Sequence, residues 1–145
     1  INSQYSLADT RITQALVNVV LETSYEFLNS VPDLEALMWR APFLTEKTIK
    51  AFAIGQIPLI LGPLGQVKMT RDLGFDLFDD IVDHSYDSIT DEVARLQSLI
   101  EQIKKLDAQY SLAQCQQLKE DLWPRIQNNF QLLRELEQKK LDLNL

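Results

Sequence analysis

Hydrophobic and polar positions along the 145-residue chain alternate between short apolar runs and helical stripes. Residues 1–14 are polar and read as a loop or short helix. Residues 15–21, Ala-Leu-Val-Asn-Val-Val-Leu, are rich in β-branched side chains and predict a short buried strand. A helix over 9–27 is the alternative, and periodicity alone does not separate the two. Residues 25–42 are irregular, with Pro32 and Pro42 as breakers and room for one helical turn at 33–38. Pro42 moves Ala41 away from helix, so the chain enters Phe43 extended.

The first clear helix is predicted over 46–54, with Thr45 as N-cap and Gly55 just past its end. Ile49, Phe52 and Ala53 give it one apolar face. Residues 57–61 are wholly apolar and bounded by Gly55 and Gly62-Pro63, which fits a buried strand; Pro58 sits near its start, where a missing N–H is tolerated. A second helix is expected over 65–73, closed by Gly74. Residues 75–81 alternate apolar and acidic side chains, which predicts a short strand or edge segment. This order implies an α/β fold: a small Rossmann-like parallel sheet of about three strands flanked by helices.

The last third is helix-rich. Ser88 or Thr90 is expected to cap a helix over 91–106, whose apolar positions Val93, Leu96, Leu99 or Ile100, Ile103 and Leu106 follow the helical period. Ser111-Leu-Ala-Gln114 is a capping-box pattern, and Leu112, Cys115, Leu118, Leu122, Ile126, Phe130 and Leu133 continue the stripe to about residue 140. Pro124 predicts a kink or split near Trp123. The stripe is not a strict heptad, so packing on the chain's own domain is expected over a coiled coil. By length the chain is a single domain, with a core over 15–106 and a helical arm over 111–142.

Composition narrows the function classes. Hydrophobic residues make up 46% of the chain, enough for a core. A single cysteine, Cys115, excludes an intrachain disulfide and reads as a small apolar residue on a helix. With a single histidine, His84, there is no metal motif, and no metal is expected. No apolar run has membrane-spanning length and no signal-peptide pattern appears, so a cytoplasmic location is expected. The chain starts at Ile1 without Met, so further N-terminal sequence is expected.

Net charge is −7, which argues against nucleic acid as a partner. The sign reverses locally. From Arg40 to Arg71 the residues Arg40, Lys47, Lys50, Lys68 and Arg71 stand against Glu46 alone, a local net of +4. From Asp72 to Glu101 nine acids face Arg95. A local positive field suits a small anionic ligand. Its best seat is the start of the helix at Thr45-Glu46-Lys47, where backbone N–H groups and the helix dipole favour an anion. Lys47 supplies a point charge for a diphosphate, and Glu46 an acceptor for a vicinal diol such as a ribose. Arg40 is a second candidate cation. Glu22, at the carboxyl end of the first strand, is a further candidate contact.

Thr45-Glu-Lys47, a helix, and then Gly55-Gln-Ile-Pro-Leu-Ile-Leu-Gly62 resemble the nucleotide-binding half of GT-B α1,3-fucosyltransferases. The order also resembles glycosyltransferase-like proteins of marine phage and bacteria. In those the motif precedes a segment read here as Gly74-Phe-Asp-Leu-Phe78 and Asp83-His-Ser-Tyr-Asp87. The resemblance covers roughly residues 17–106. It implies a domain that binds a nucleotide-diphosphate sugar as donor substrate, with no cofactor; Glu46 would contact the ribose and Lys47 the diphosphate. Thr48 departs from the usual Leu after the Lys. The GT-B fold also needs a second, acceptor-binding domain, which is expected to lie outside these 145 residues. A non-catalytic interaction domain, or a homodimer formed through the C-terminal helices, is the alternative.

Other constellations carry less. Asp76, Asp79, Asp80 and Asp83 lack the spacing of a calcium loop and read as a solvated acidic face. His84 beside Asp83 and Asp87 invites an acid/base reading, but a lone His in a capping loop is more often structural, and that role is the one expected. Gly62-Pro-Leu-Gly65 has the form of a KH loop but lacks basic surroundings.

Overall fold

The computed structural model describes residues 15–22 and 44–142. The expected turn at 33–38, the segment 1–14 and Arg40 lie outside the described residues. Two parallel strands, β1 (Val17–Leu21) and β2 (Ile57–Leu61), pair with Val17 opposite Ile57 and Leu21 opposite Leu61. Between them in sequence lies helix α1 (Glu46–Ala53). After β2 come α2 (Gln66–Asp72), a 3₁₀ turn (Ser85–Ser88), α3 (Glu92–Gln109), α4 (Leu112–Asp121) and α5 (Trp123–Asp142). The chain is therefore mixed α/β with a two-strand parallel sheet and a helix-rich C-terminal region.

Strand β2 is the hub. Helices α1, α2 and α3 all contact it, and all five of its residues are buried. β1 pairs only with β2 among the described residues, and Val19 and Leu21 are 43% and 57% exposed. Among the described residues it is an edge strand with one open face, where a buried strand was expected.

Local chemistry sets the element ends. Thr45 caps α1, its hydroxyl accepting the Lys47 N–H at 3.1 Å. Gly55 then turns the chain at φ 70°, and its backbone lies so close to α5 that a Cβ there would sit 3.3 Å from Ile126 Cγ2. Behind α1, Phe52 stacks on Phe75 with ring centroids 4.4 Å apart. Helix α3 is capped by Asp91, whose carboxylate accepts the Ala94 N–H at 2.7 Å, rather than by Ser88 or Thr90. Val93 lies outside the apolar stripe of α3 and is 62% exposed. Ser111 and Gln114 form the reciprocal capping box of α4. The break between α4 and α5 falls at Leu122, and Pro124 lies in the first turn of α5, where its missing N–H costs nothing.

No third strand forms at 75–81. Phe75, Leu77 and Phe78 are buried, so the apolar positions do face the core. The backbone, however, is committed elsewhere. The Asp76 side chain accepts the Phe78 N–H at 2.8 Å, an Asx-type turn that competes with a ladder. The Asp76 N–H and C=O are both bonded to the Asn129 side chain of α5, at 2.9 and 2.8 Å. Phe78 sits at φ 59°, which no strand residue can adopt.

Candidate functional site at the carboxyl end of the sheet

The parallel register brings the ends of β1 and β2 together beside the start of α1. The Glu22 N–H donates to Leu61 O at 2.9 Å, so Glu22 extends the ladder by one residue. Its side chain is only 6% exposed and turns toward α1. The Thr45 hydroxyl lies 2.8 and 2.6 Å from the two carboxylate oxygens, and the Thr48 hydroxyl donates to Oε1 at 2.6 Å. Thr48 is wholly buried. Lys47 Nζ donates to Leu21 O, at the end of β1, at 2.8 Å. Glu46 is exposed beside it. Gly62 closes the site: a Cβ there would fall 3.1 Å from Gln66 Cγ and 3.3 Å from Glu22 Cβ.

The structure thus brings Glu22, Thr45, Glu46 and Lys47 to one edge, where ligands of open parallel sheets bind. It also changes the part played by Glu22. As a buried acceptor for two threonine hydroxyls, Glu22 orients the helix start from beneath. Thr48, which departs from the Leu of the resembled motif, has a reason here: it is a buried donor to Glu22.

The positive field expected over 40–71 is smaller than the residue list implies. Lys68 pairs with Asp72. Arg71 grips Asp79 with two bonds of 3.0 and 2.7 Å. The hydrogen bond to Asp79 raises the Arg71 pKa, and the reciprocal bond holds Asp79 below the usual carboxylate range. Lys47 stands at the mouth of α1 with its Nζ bonded to Leu21 O.

The acidic residues each have a structural partner. Asp87 caps α2, accepting the N–H groups of Val67 and Lys68 at 3.1 and 3.0 Å. Asp83 accepts the Ser85 N–H at 2.9 Å, and that bond lowers its pKa. Asp76 and Asp80 both bind Arg125, and the Arg125 bond lowers the pKa of Asp80. Among the described residues no group of three or more His, Cys, Asp or Glu is placed to hold a metal ion. The His84 ring bonds to neither the Asp83 nor the Asp87 carboxylate, in line with the structural role expected. Its Nδ1 lies 3.0 Å from Asp79 Oδ1 and its Nε2 3.4 Å from Pro58 O, with the side chain 2% exposed. A buried ring between two acceptors is a packing element rather than an acid/base group facing substrate. Tyr86 is buried beside it, and burial pushes its phenol above the ordinary value. Gly65, at φ 80°, starts α2 and has no side chain with which to cap it. That absence is the sequence signal that could have pointed to an outside cap such as Asp87.

A groove of about 650 Å³ runs between α1 and α5, lined by Leu44, Ile49, Ala53, Phe130, Leu133 and Leu136. It lies along the flank of α1 and none of Glu22, Thr45, Glu46 or Lys47 lines it. The polar chemistry is at the mouth of the helix, and the mouth is the better candidate. No described helix is long and apolar enough to cross a membrane. No family model, curated protein or solved structure matches the chain.

Proposed function

We propose that the carboxyl edge of the sheet and the mouth of α1 form the donor seat of a glycosyltransferase-like domain, binding a nucleotide-diphosphate sugar. The observation that supports this most is the position of Thr45-Glu46-Lys47: it opens a helix directly at the ends of two parallel strands. Lys47, with its ammonium at the end of β1, is the group for the diphosphate. Glu46 is the exposed acceptor for the ribose hydroxyls. Glu22 and Thr45 hold the helix start in place. In this reading the acceptor and its activating base are supplied from outside the donor seat. Lys47 and the helix N-terminus would stabilise the developing charge of the diphosphate leaving group.

Calorimetric titration of the chain with UDP, GDP and their sugars tests this. One nucleotide diphosphate is expected to bind, and Lys47→Ala to weaken it about tenfold, roughly 1.4 kcal/mol. Equal affinity in wild type and Lys47→Ala, or no binding by either, would reject the assignment.

A further inference from the structure

The most heavily tied contact outside the candidate site joins α5 to the loop at 76–82. Arg125 donates to both oxygens of Asp76, at 2.6 and 2.9 Å, and to both of Asp80, at 2.9 and 2.8 Å. Its guanidinium lies 4.7 Å from the centroid of the Phe78 ring, in cation–π range. One turn along α5, Asn129 is 3% exposed and takes both backbone groups of Asp76. Between these clamps lies Phe78, the one non-glycine residue at positive φ among the described residues. A bulky residue holds that conformation only where its surroundings over-determine it. Arg71 of α2 and His84 hold Asp79 of the same loop, whereas the side-chain bonds on Asp76 and Asp80, on either side of Phe78, come from α5.

We propose that α5 is a releasable strap: the turn at Phe78 exists only while Arg125 and Asn129 are seated, and loop and helix open together as one unit ahead of the sheet. The apolar contacts of α5 fit this role. It meets α1 along one flank, through Ile126 and Phe130 against Gly55 and along the groove. The sheet, by contrast, is held by β2, which α1, α2 and α3 cover. Release uncovers the flank of the helix that carries Thr45 and Lys47, so strap and site are physically linked.

Native-state hydrogen exchange on the full chain, read by NMR in rising sub-denaturing denaturant, is the test. In wild type the Phe78, Ile81 and Val82 amides are expected to share one opening with Asn129 and Phe130 of α5. The Gln56 and Ile57 amides should open later. Arg125→Gln is expected to speed the loop and α5 amides together by roughly tenfold or more, with Gln56 and Ile57 unchanged. Loop amides that keep wild-type rates in Arg125→Gln, or speed up without α5, would overturn the proposal. If Arg125→Gln does not fold, wild type decides alone: loop and helix that open only with the sheet, or at separate denaturant dependences, overturn it.

Discussion

Helices α1 and α2 both begin against a carboxylate from elsewhere in the chain, but the two acids act differently. Asp87 places its oxygens directly on the first-turn N–H groups of α2 and fills that helix mouth. Glu22 stops one layer short: it binds the hydroxyls of Thr45 and Thr48, and Thr45 in turn accepts the Lys47 N–H. A helix start closed by protein carboxylate has no room for a ligand anion. A start braced from beneath, with Lys47 and exposed Glu46 at its lip, is where the proposed function would seat the ligand anion. Two similar elements in one small domain thus differ in whether a carboxylate caps the backbone directly or through a threonine hydroxyl.

The largest effect should come from removing the brace. Glu22→Ala leaves the wholly buried Thr48 hydroxyl without its acceptor and empties space under α1. Thermal or denaturant unfolding should show a loss of about 2–3 kcal/mol. A loss below about 0.5 kcal/mol would mean that Glu22 does not organise the helix. Asp87→Ala removes a plain cap and is expected to cost about 1–2 kcal/mol with donor binding unchanged, since α2 is not part of the proposed seat. Equal damage to binding by both variants would erase the distinction between the two helices.

The smallest effect is acid sensitivity, and it sharpens the comparison from the α2 side. Asp79, Asp80 and Asp83 all have folded values lowered from an ordinary 3.8. Groups of this kind stabilise the fold fully above the unfolded value and lose that contribution as pH falls through the lower folded values. Circular dichroism between about pH 5 and 2 should show stability declining, less steeply at high salt because these carboxylates are largely exposed. An acid limb unaffected by salt would contradict the surface ion pairs as its source.

Much of the architecture could be read from local signals. Thr45 before Glu46-Lys47, the Ser111/Gln114 box and the apolar run Ile57–Leu61 each carry their own structural instruction, and each element starts where that instruction places it. Pro124 likewise splits the last helix beside Trp123. The misreadings involve distant partners. The alternation at 75–81 is the pattern of a strand, but Asn129 and Arg125 capture its backbone and acids from about fifty residues away. The structural role of His84 was legible, but its partner Asp79, shared with Arg71, was not. At the candidate site, the place of Glu46 and Lys47 at a helix start was legible from the motif. The bracing role of Glu22 was not, since nothing in a sequence shows that a strand end and two helix threonines will meet.

The separation between Asp76 and Arg125 has a consequence for synthesis. The two are 49 residues apart, so a growing chain exposes the loop well before its partner emerges. In that interval Phe75, Leu77 and Phe78 have no α5 to pack near. They are interleaved with Asp76 and Asp80, whose charges Arg125 has not yet met and which repel the same segment of a neighbouring nascent chain. The acids that later anchor the strap serve first as gatekeepers against aggregation.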